Sequence, residues 1–432
     1  MWGGVECTFS RVGDEYIDQL ELTGHAHRLS DIGRIASLGV SALRYPVIWE
    51  RTAPEGVASA DWRWPDQRLA LIREHGIVPV VGLVHHGSGP HYTSFDDPAF
   101  PAKLAAYARA CAERYPWIDT VTPLNEPLTT ARFAGLYGHW HPHMTDDRSF
   151  VRILLAECVA IRSAMQAIRE IIPCAQLLQP EDLGHTHASD GLSYQADFEN
   201  ERRWLTWDLM CGRVVRGHPM YDYLMTYGAT PKQLDDLATN PCPPNQVGVD
   251  HYITSERYLD ADVEAHEHAR RGGNGRDRYA DVEVTRVRPE LRRGAAALLR
   301  DAWHRYNIPL VLAEAHLACD DEKEGVRWLV ELWNAALDAR DAGCDVRAVA
   351  AWALFGSCGW NELATRRDGQ YAAGAFDVAS GAPGQPRETG VARAIRSLAR
   401  DGRCDDESLA SPGWWNCTSA DRAPRRRAST AS

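Results

Sequence analysis

Eight short apolar runs, each followed by a longer stretch in which apolar residues recur at helical spacing, constrain this chain more than any other feature. The runs fall at 3–7, 42–47, 78–84, 118–123, 175–179, 247–252, 309–313 and 348–354. Their near-continuous Val, Ile, Leu and Ala content is that of strands buried on both faces, which marks parallel rather than antiparallel sheet. Helical stretches lie at 28–38, 64–75, 101–115, 150–171, 201–215, 290–306, 323–342 and 389–399. Parallel neighbours need a crossover connection, and a helix supplies it. Eight such units predict a single-domain (β/α)8 TIM barrel over residues 1–400. A doubly wound sheet is the competing α/β arrangement, but it normally uses fewer units. Residues 401–432 lose the periodicity and are expected to form a loose C-terminal tail. The polar, glycine-rich segment 261–281 is expected to be a mobile insertion after the sixth strand.

Two of the runs end in glutamate. Glu126 closes Ile118-Asp119-Thr120-Val121-Thr122-Pro123-Leu124-Asn125-Glu126, and Glu314 closes Ile308-Pro309-Leu310-Val311-Leu312-Ala313-Glu314. Carboxyl ends of barrel strands carry the chemistry of this architecture, so both acids are expected in one mouth. Breaking a glycosidic bond with retention needs one protonated carboxyl and one ionised carboxylate roughly 5 Å apart. By count, Glu126 ends the fourth strand and Glu314 the seventh, on opposite sides of the mouth. The plainer reading is two unrelated strand-end acids; the shared context and the Asn125-Glu126-Pro127 triplet weigh against it.

Charge and cysteine usage narrow the partners. A net charge of −12 argues against nucleic acid, and the short basic run Arg425-Arg426-Arg427 does not reverse it. No apolar run approaches the roughly 18–20 residues of a membrane span. The 11 cysteines include no Cys-x-x-Cys pair, which predicts a reduced, cytoplasmic chain without a disulfide framework. The sequon Asn416-Cys417-Thr418 then has no role. No Gly-x-Gly-x-x-Gly follows a strand, so no dinucleotide cofactor is expected. His139, His141 and His143 alternate, but their loop context fits a polar cleft wall better than a metal site.

Several blocks resemble the family 1 glycoside hydrolases, the β-glucosidase-like retaining enzymes. Leu43-Arg44-Tyr45-Pro46-Val47-Ile48-Trp49-Glu50-Arg51-Thr52-Ala53-Pro54 is similar to the family's Arg-Phe-Ser-x-x-Trp-x-Arg-x-x-Pro segment, and Leu83-Val84-His85-His86 to its Leu-Tyr-His-Trp. Thr122-Pro123-Leu124-Asn125-Glu126-Pro127 is close to Thr-Leu-Asn-Glu-Pro, the most specific of the set. Gly248-Val249-Asp250-His251-Tyr252 is similar to Gly-Ile-Asn-Tyr-Tyr, Ala313-Glu314-Ala315-His316 falls where the family has Thr-Glu-Asn-Gly, and Trp352-Ala353-Leu354 where it has Trp-Ser-Leu. The resemblance implies Glu126 as general acid/base and Glu314 as nucleophile. It implies substrate-binding roles for Arg44, His85, Asn125, Asp250, Tyr252, Trp352 and Trp360. Arg44 and Tyr252 are expected against Glu314, Asn125 at the sugar 2-hydroxyl, His85 at glycone hydroxyls, and the two tryptophans as stacking platforms.

The departures concern recognition rather than chemistry. Gly356-Ser357-Cys358-Gly359-Trp360 stands where the family has Asp-Asn-Phe-Glu-Trp, so the glutamate that grips distal hydroxyls is missing. The glutamine near the first strand is also absent; Ser10 falls at its ungapped position and Glu6 ends the strand. The expected function is therefore a retaining glycosidase or transglycosylase acting on a β-glycoside, with a carbohydrate as its partner. The alternatives are a catalytically weak sugar-binding barrel and a partner domain of sugar-nucleotide metabolism.

Overall fold

The apolar runs pair in chain order around a closed parallel barrel: β1 (Trp2–Gly4), β2 (Ala42–Pro46), β3 (Val78–Gly82), β4 (Thr120–Thr122), β5 (Gln176–Asp182), β6 (Gln246–Asp250), β7 (Leu310–Ala315) and β8 (Val346–Ala351). Hydrogen bonds from β1 to both β2 and β8 close the ring. This computed structural model describes residues 1–267, 271–382 and 384–417. Helices α1 (Asp31–Ala36), α2 (Arg63–Glu74), α3 (Phe100–Arg114), α4 (Asp147–Ile171), α5 (Leu205–Met210), α6 (Gly294–Tyr306), α7 (Glu322–Asp341) and α8 (Gly390–Asp401) follow the strands in turn. The expected (β/α)8 barrel is the observed fold.

Two apolar layers hold it. Inside the barrel, Trp2, Val80, Leu178 and Val311, one from each odd-numbered strand, pack with Ala313 and Ala348. Side chains contributed by alternate strands are how a barrel of this size fills its interior. Outside, the other strand faces meet helix stripes such as Leu104, Tyr107 and Cys111 of α3 and Leu154, Cys158 and Ile161 of α4, all buried. Among the described residues no helix is long and apolar enough to cross a membrane.

The two segments without barrel periodicity behave differently from expectation. The 261–281 insertion forms a hairpin of strands Arg271–Gly273 and Arg278–Glu283, joined through Arg257–Asp260 to Thr186–Ala188 in a small four-stranded sheet. Asn274 caps the turn, accepting from the backbone of Arg276 and Asp277, and donates to Tyr194 and Gln195 on the helix Ser193–Arg202. Tyr279, Ala280 and Val282 of the second strand are buried; His268, Ala269 and Arg270 lie outside the described residues. The tail also returns to the barrel. Short turns at Glu407–Ala410 and Trp414–Asn416 bring Trp415 to full burial, edge-on to Trp328 of α7 at 5.2 Å. Its indole donates to Glu331 at 2.7 Å. Residues 418–432, with the basic run, lie outside the described residues.

Candidate active site

Glu126 and Glu314 reach the mouth through two distortions of regular backbone. Glu126 sits at φ 43°, ψ 65°, a left-handed conformation that costs a non-glycine residue energy and persists where its surroundings over-determine it. It precedes the short helix Pro127–Ala131, where Pro127 needs no amide partner, and its carbonyl accepts from the Thr130 amide at 2.9 Å. Behind it, the carboxylate of Glu181 on β5 takes the Leu128 amide at 2.6 Å and anchors the helix start. Glu314 lies at a register shift of β7 against β6, with Asp250 as its Cα partner. An irregularity of this kind turns a side chain out of the pleat alternation.

Oxygens of Glu126, Asp250 and Glu314 lie within 4.8 Å of one another, and all three residues are buried. Arg44 supplies the positive charge of the cluster. Its Nη1 donates to Glu314 Oε1 at 2.8 Å and lies 3.8 Å from Asp250, and its Nη2 donates to Asn125 at 2.6 Å. The Tyr252 hydroxyl donates to the other Glu314 oxygen. Burial, then the charge of Asp250, pushes the Glu314 carboxyl up, against the downward pull of Arg44 and Tyr252. Glu126 is driven well above the usual carboxylate range by burial, then Asp250, then Glu314, with no opposing cation. Asp250 is pushed up to about 6 by burial, partly offset by Arg44. Three carboxyls facing one guanidinium in a buried site resist ionising together, and Glu126 is the one with no cation beside it.

The other expected residues converge on this cluster with altered tasks. Asn125 is buried between Arg44 and His85, whose Nε2 lies 3.3 Å from its amide nitrogen. His85 is held neutral by burial, then by His86 and the Arg44 guanidinium beside it. Trp352 was expected to be a sugar platform, but its ring stacks on His85 at 5.3 Å, carries the Arg44 guanidinium at 4.6 Å, and donates its indole N–H to Glu6 at 3.0 Å. It braces the floor of the site. Trp360 is half-buried, with its edge toward His86. His143 bonds the backbone of Gly13 and Gly138 through its two ring nitrogens, consistent with a cleft wall.

Three contributors escaped sequence reasoning. His86 lies 3.5 Å from Glu126, and Thr130 lies 3.1 Å from the other side of its ring. Gln19 makes a two-way amide pair with the backbone of Cys358, tying down the segment that replaces the distal-hydroxyl glutamate. Ser10 donates to the Ala364 carbonyl and holds the same segment. His86 left a trace in the sequence as a second histidine where the resemblance expects tryptophan, and Ser10 as the residue at the ungapped position of the missing glutamine. A cavity of about 180 Å³ opens beside the cluster, lined by Ala315, His316, Trp352, Tyr371, Asp377 and Arg387. Glu126, Asp250 and Glu314 are the one group among the described residues with oxygens close enough together to ligate a cation, and Arg44 already provides their counter-charge.

Comparison with known proteins agrees with this fold. The sequence model of glycosyl hydrolase family 1 matches residues 22–373. Among solved structures, a family 1 β-glucosidase from Thermotoga maritima superposes with TM-score 0.73 at 17% identity, covering 94% of this chain and 98% of its own. The Thermotoga maritima β-glucosidase in complex with deoxynojirimycin gives 0.72 at 17% over 94% and 98%. The complex with azafagomine gives 0.71 at 18% over 89% and 88%.

Proposed function

The chain belongs to glycosyl hydrolase family 1 and is a glycosidase, and from that premise we propose that it cleaves a β-glycoside with retention, using Glu126 as general acid/base and Glu314 as nucleophile. The observation that carries this reading is the pair of carboxyls approaching within 4.8 Å across the mouth in unlike surroundings. That spacing suits direct attack on the anomeric carbon and is too short to seat a water between them. Arg44 and Tyr252 bond both oxygens of Glu314, so this is the carboxyl best able to carry charge. Glu126 faces two carboxyls and no cation, which keeps its proton available for the leaving group. Once Glu314 has bonded the sugar, Glu126 is left ionised and can take a proton from the attacking water.

Recognition follows from what the site keeps and lacks. Asn125, held by Arg44, is the proposed partner of the 2-hydroxyl. No carboxylate stands in the 356–360 segment to grip distal hydroxyls, so selectivity at that end of the sugar is proposed to be weak. A panel of aryl β-glycosides tests the reading. Turnover should fall at least about a hundredfold in both Glu126→Gln and Glu314→Gln, and a 2-fluoro glycoside should label Glu314. Label on any other residue, or full activity in either variant, would overturn the assignment.

A further inference from the structure

His86 lies against Glu126 and has no part in the retaining mechanism set out above. It follows β3 at φ 58°, a left-handed backbone unusual for a non-glycine residue, and it is buried. Its Nε2 is 3.5 Å from Glu126 Oε2 and its Nδ1 is 3.1 Å from Thr130 Oγ1. Thr130 in turn donates its amide to the Glu126 carbonyl at 2.9 Å, so histidine, threonine and glutamate form one closed unit. Three rings fix the imidazole: Trp140 at 5.1 Å, Trp360 edge-on at 5.7 Å and His85 at 4.7 Å. A contact of 3.5 Å is long for a hydrogen bond, as catalytic hydrogen bonds often are before substrate closes the site.

The chemistry of the partners gives this unit two arrangements. Burial and Arg44 hold the imidazole neutral, pushing its pKa down to about 3, so it carries one N–H. A threonine hydroxyl both donates and accepts. With the proton on Nδ1, the ring donates to Thr130 and offers its Nε2 lone pair to the protonated Glu126 carboxyl. With the proton on Nε2, the ring donates to the Glu126 carboxylate while Thr130 donates to Nδ1. One proton leaves one ring nitrogen and one arrives at the other, both exchanged with water, and the ring stays neutral throughout.

We propose that His86 is a positioning residue whose tautomer follows the protonation of Glu126, accepting from it as acid and donating to it as base. This rests on the reading of Glu126 as acid/base. Retention asks one carboxyl to do both jobs in succession, and a fixed cation would favour only the ionised form. The tryptophan that the resemblance places here has a donor alone. The charged and titratable groups that also face this pair are Arg44 of β2, His85 after β3, Glu181 and Asp182 of β5, Asp250 of β6, Tyr252 after it and Glu314 of β7.

The test uses the full chain with nitrogen-15 histidine and carbon-13 glutamate, titrated by NMR. His86→Gln and Glu126→Gln identify the two signals. As Glu126 loses its proton, Nε2 of His86 should change from bare to protonated with no imidazolium stage. In Glu126→Gln, whose amide does not titrate, the His86 tautomer should be the same at every pH. Thr130→Val, close to isosteric, should also abolish the conversion. A single His86 tautomer across the Glu126 titration, or the same conversion in Glu126→Gln, would overturn the proposal. No substrate is needed, so failure of the retaining reading would appear separately, as undiminished turnover in Glu126→Gln. Where an aryl glycoside is turned over, His86→Phe should lose about tenfold in kcat/KM on poor leaving groups and little on activated ones. His86→Gln, which keeps a donor and an acceptor, should recover part of that loss. Equal loss on both substrates would mark His86 as merely structural.

Discussion

Asp250 is a poorly compensated group in the molecule's polar core. It is fully buried, Arg44 stands off at 3.8 Å, and the Glu126 carboxyl is its hydrogen-bonding neighbour. Its carboxyl is pushed from an ordinary value near 3.8 up to about 6 by burial. A carboxyl with a raised folded pKa binds more protons folded than unfolded, so its contribution is intact at low pH and stability is lost as pH climbs from about 4 to about 6. Asp250→Asn should therefore raise stability at pH 8 by up to about 3 kcal/mol and change it little at pH 3. Urea unfolding of both proteins at the two pH values checks this; equal stability at pH 8 would contradict it. The same substitution removes a charge that pushes Glu126 up, so the alkaline limb of the rate profile should move to lower pH.

At the scale of strands and helices, the site depends on close approach at the barrel wall. Gly4 of β1 leaves room for the Trp352 ring: a methyl group there would lie 2.2 Å from Trp352 Cε3. Gly4→Ala should tilt Trp352 off His85 and Arg44, cost about 1–3 kcal/mol through overpacking, and lower kcat/KM, since Arg44 loses its aromatic support. Thermal unfolding and the tryptophan near-ultraviolet signal read both effects; an unchanged spectrum would mean the wall adjusts elsewhere. The long helix α4 adds a second buried acid. Glu157 faces Glu181 beneath the helix that follows Glu126, and burial pushes both carboxyls up, Glu181 to about 8.

For the whole molecule, closure of the barrel leaves few exposed edges, and the segment after α8 reinforces the outer layer. Trp415 buries its ring against Trp328, and Asn416 bridges Arg292, just before α6, and Glu331 of α7. Trp415→Ala should cost about 3–5 kcal/mol of stability while leaving the catalytic constants near those of the parent, because the contact lies on the helical layer. A loss below about 1 kcal/mol in denaturant titration would mean that residues 402–417 detach before the barrel unfolds.

The barrel was legible in the chain because a strand covered on both faces must be apolar throughout and each parallel crossover must be helical, so all eight units announced themselves. Glu126 and Glu314 were legible for the same reason, each standing as a charge at the end of an apolar run. Arg44 and Tyr252 followed from resemblance, and their placement against Glu314 agrees with it. Three things were decided only in three dimensions. Trp352 became a brace because both His85 and Arg44 converge on its ring. The insertion and the tail acquired structure because residues distant in sequence, Leu192 and Ala196 against Tyr279 for one and Trp328 against Trp415 for the other, cover their few apolar side chains. Asp250 became a third carboxyl of the site because the register of β6 against β7 sets it beside Glu314. Periodicity encodes which face is buried; which charges share that buried space depends on register, curvature and closure, and those emerge from packing the whole chain.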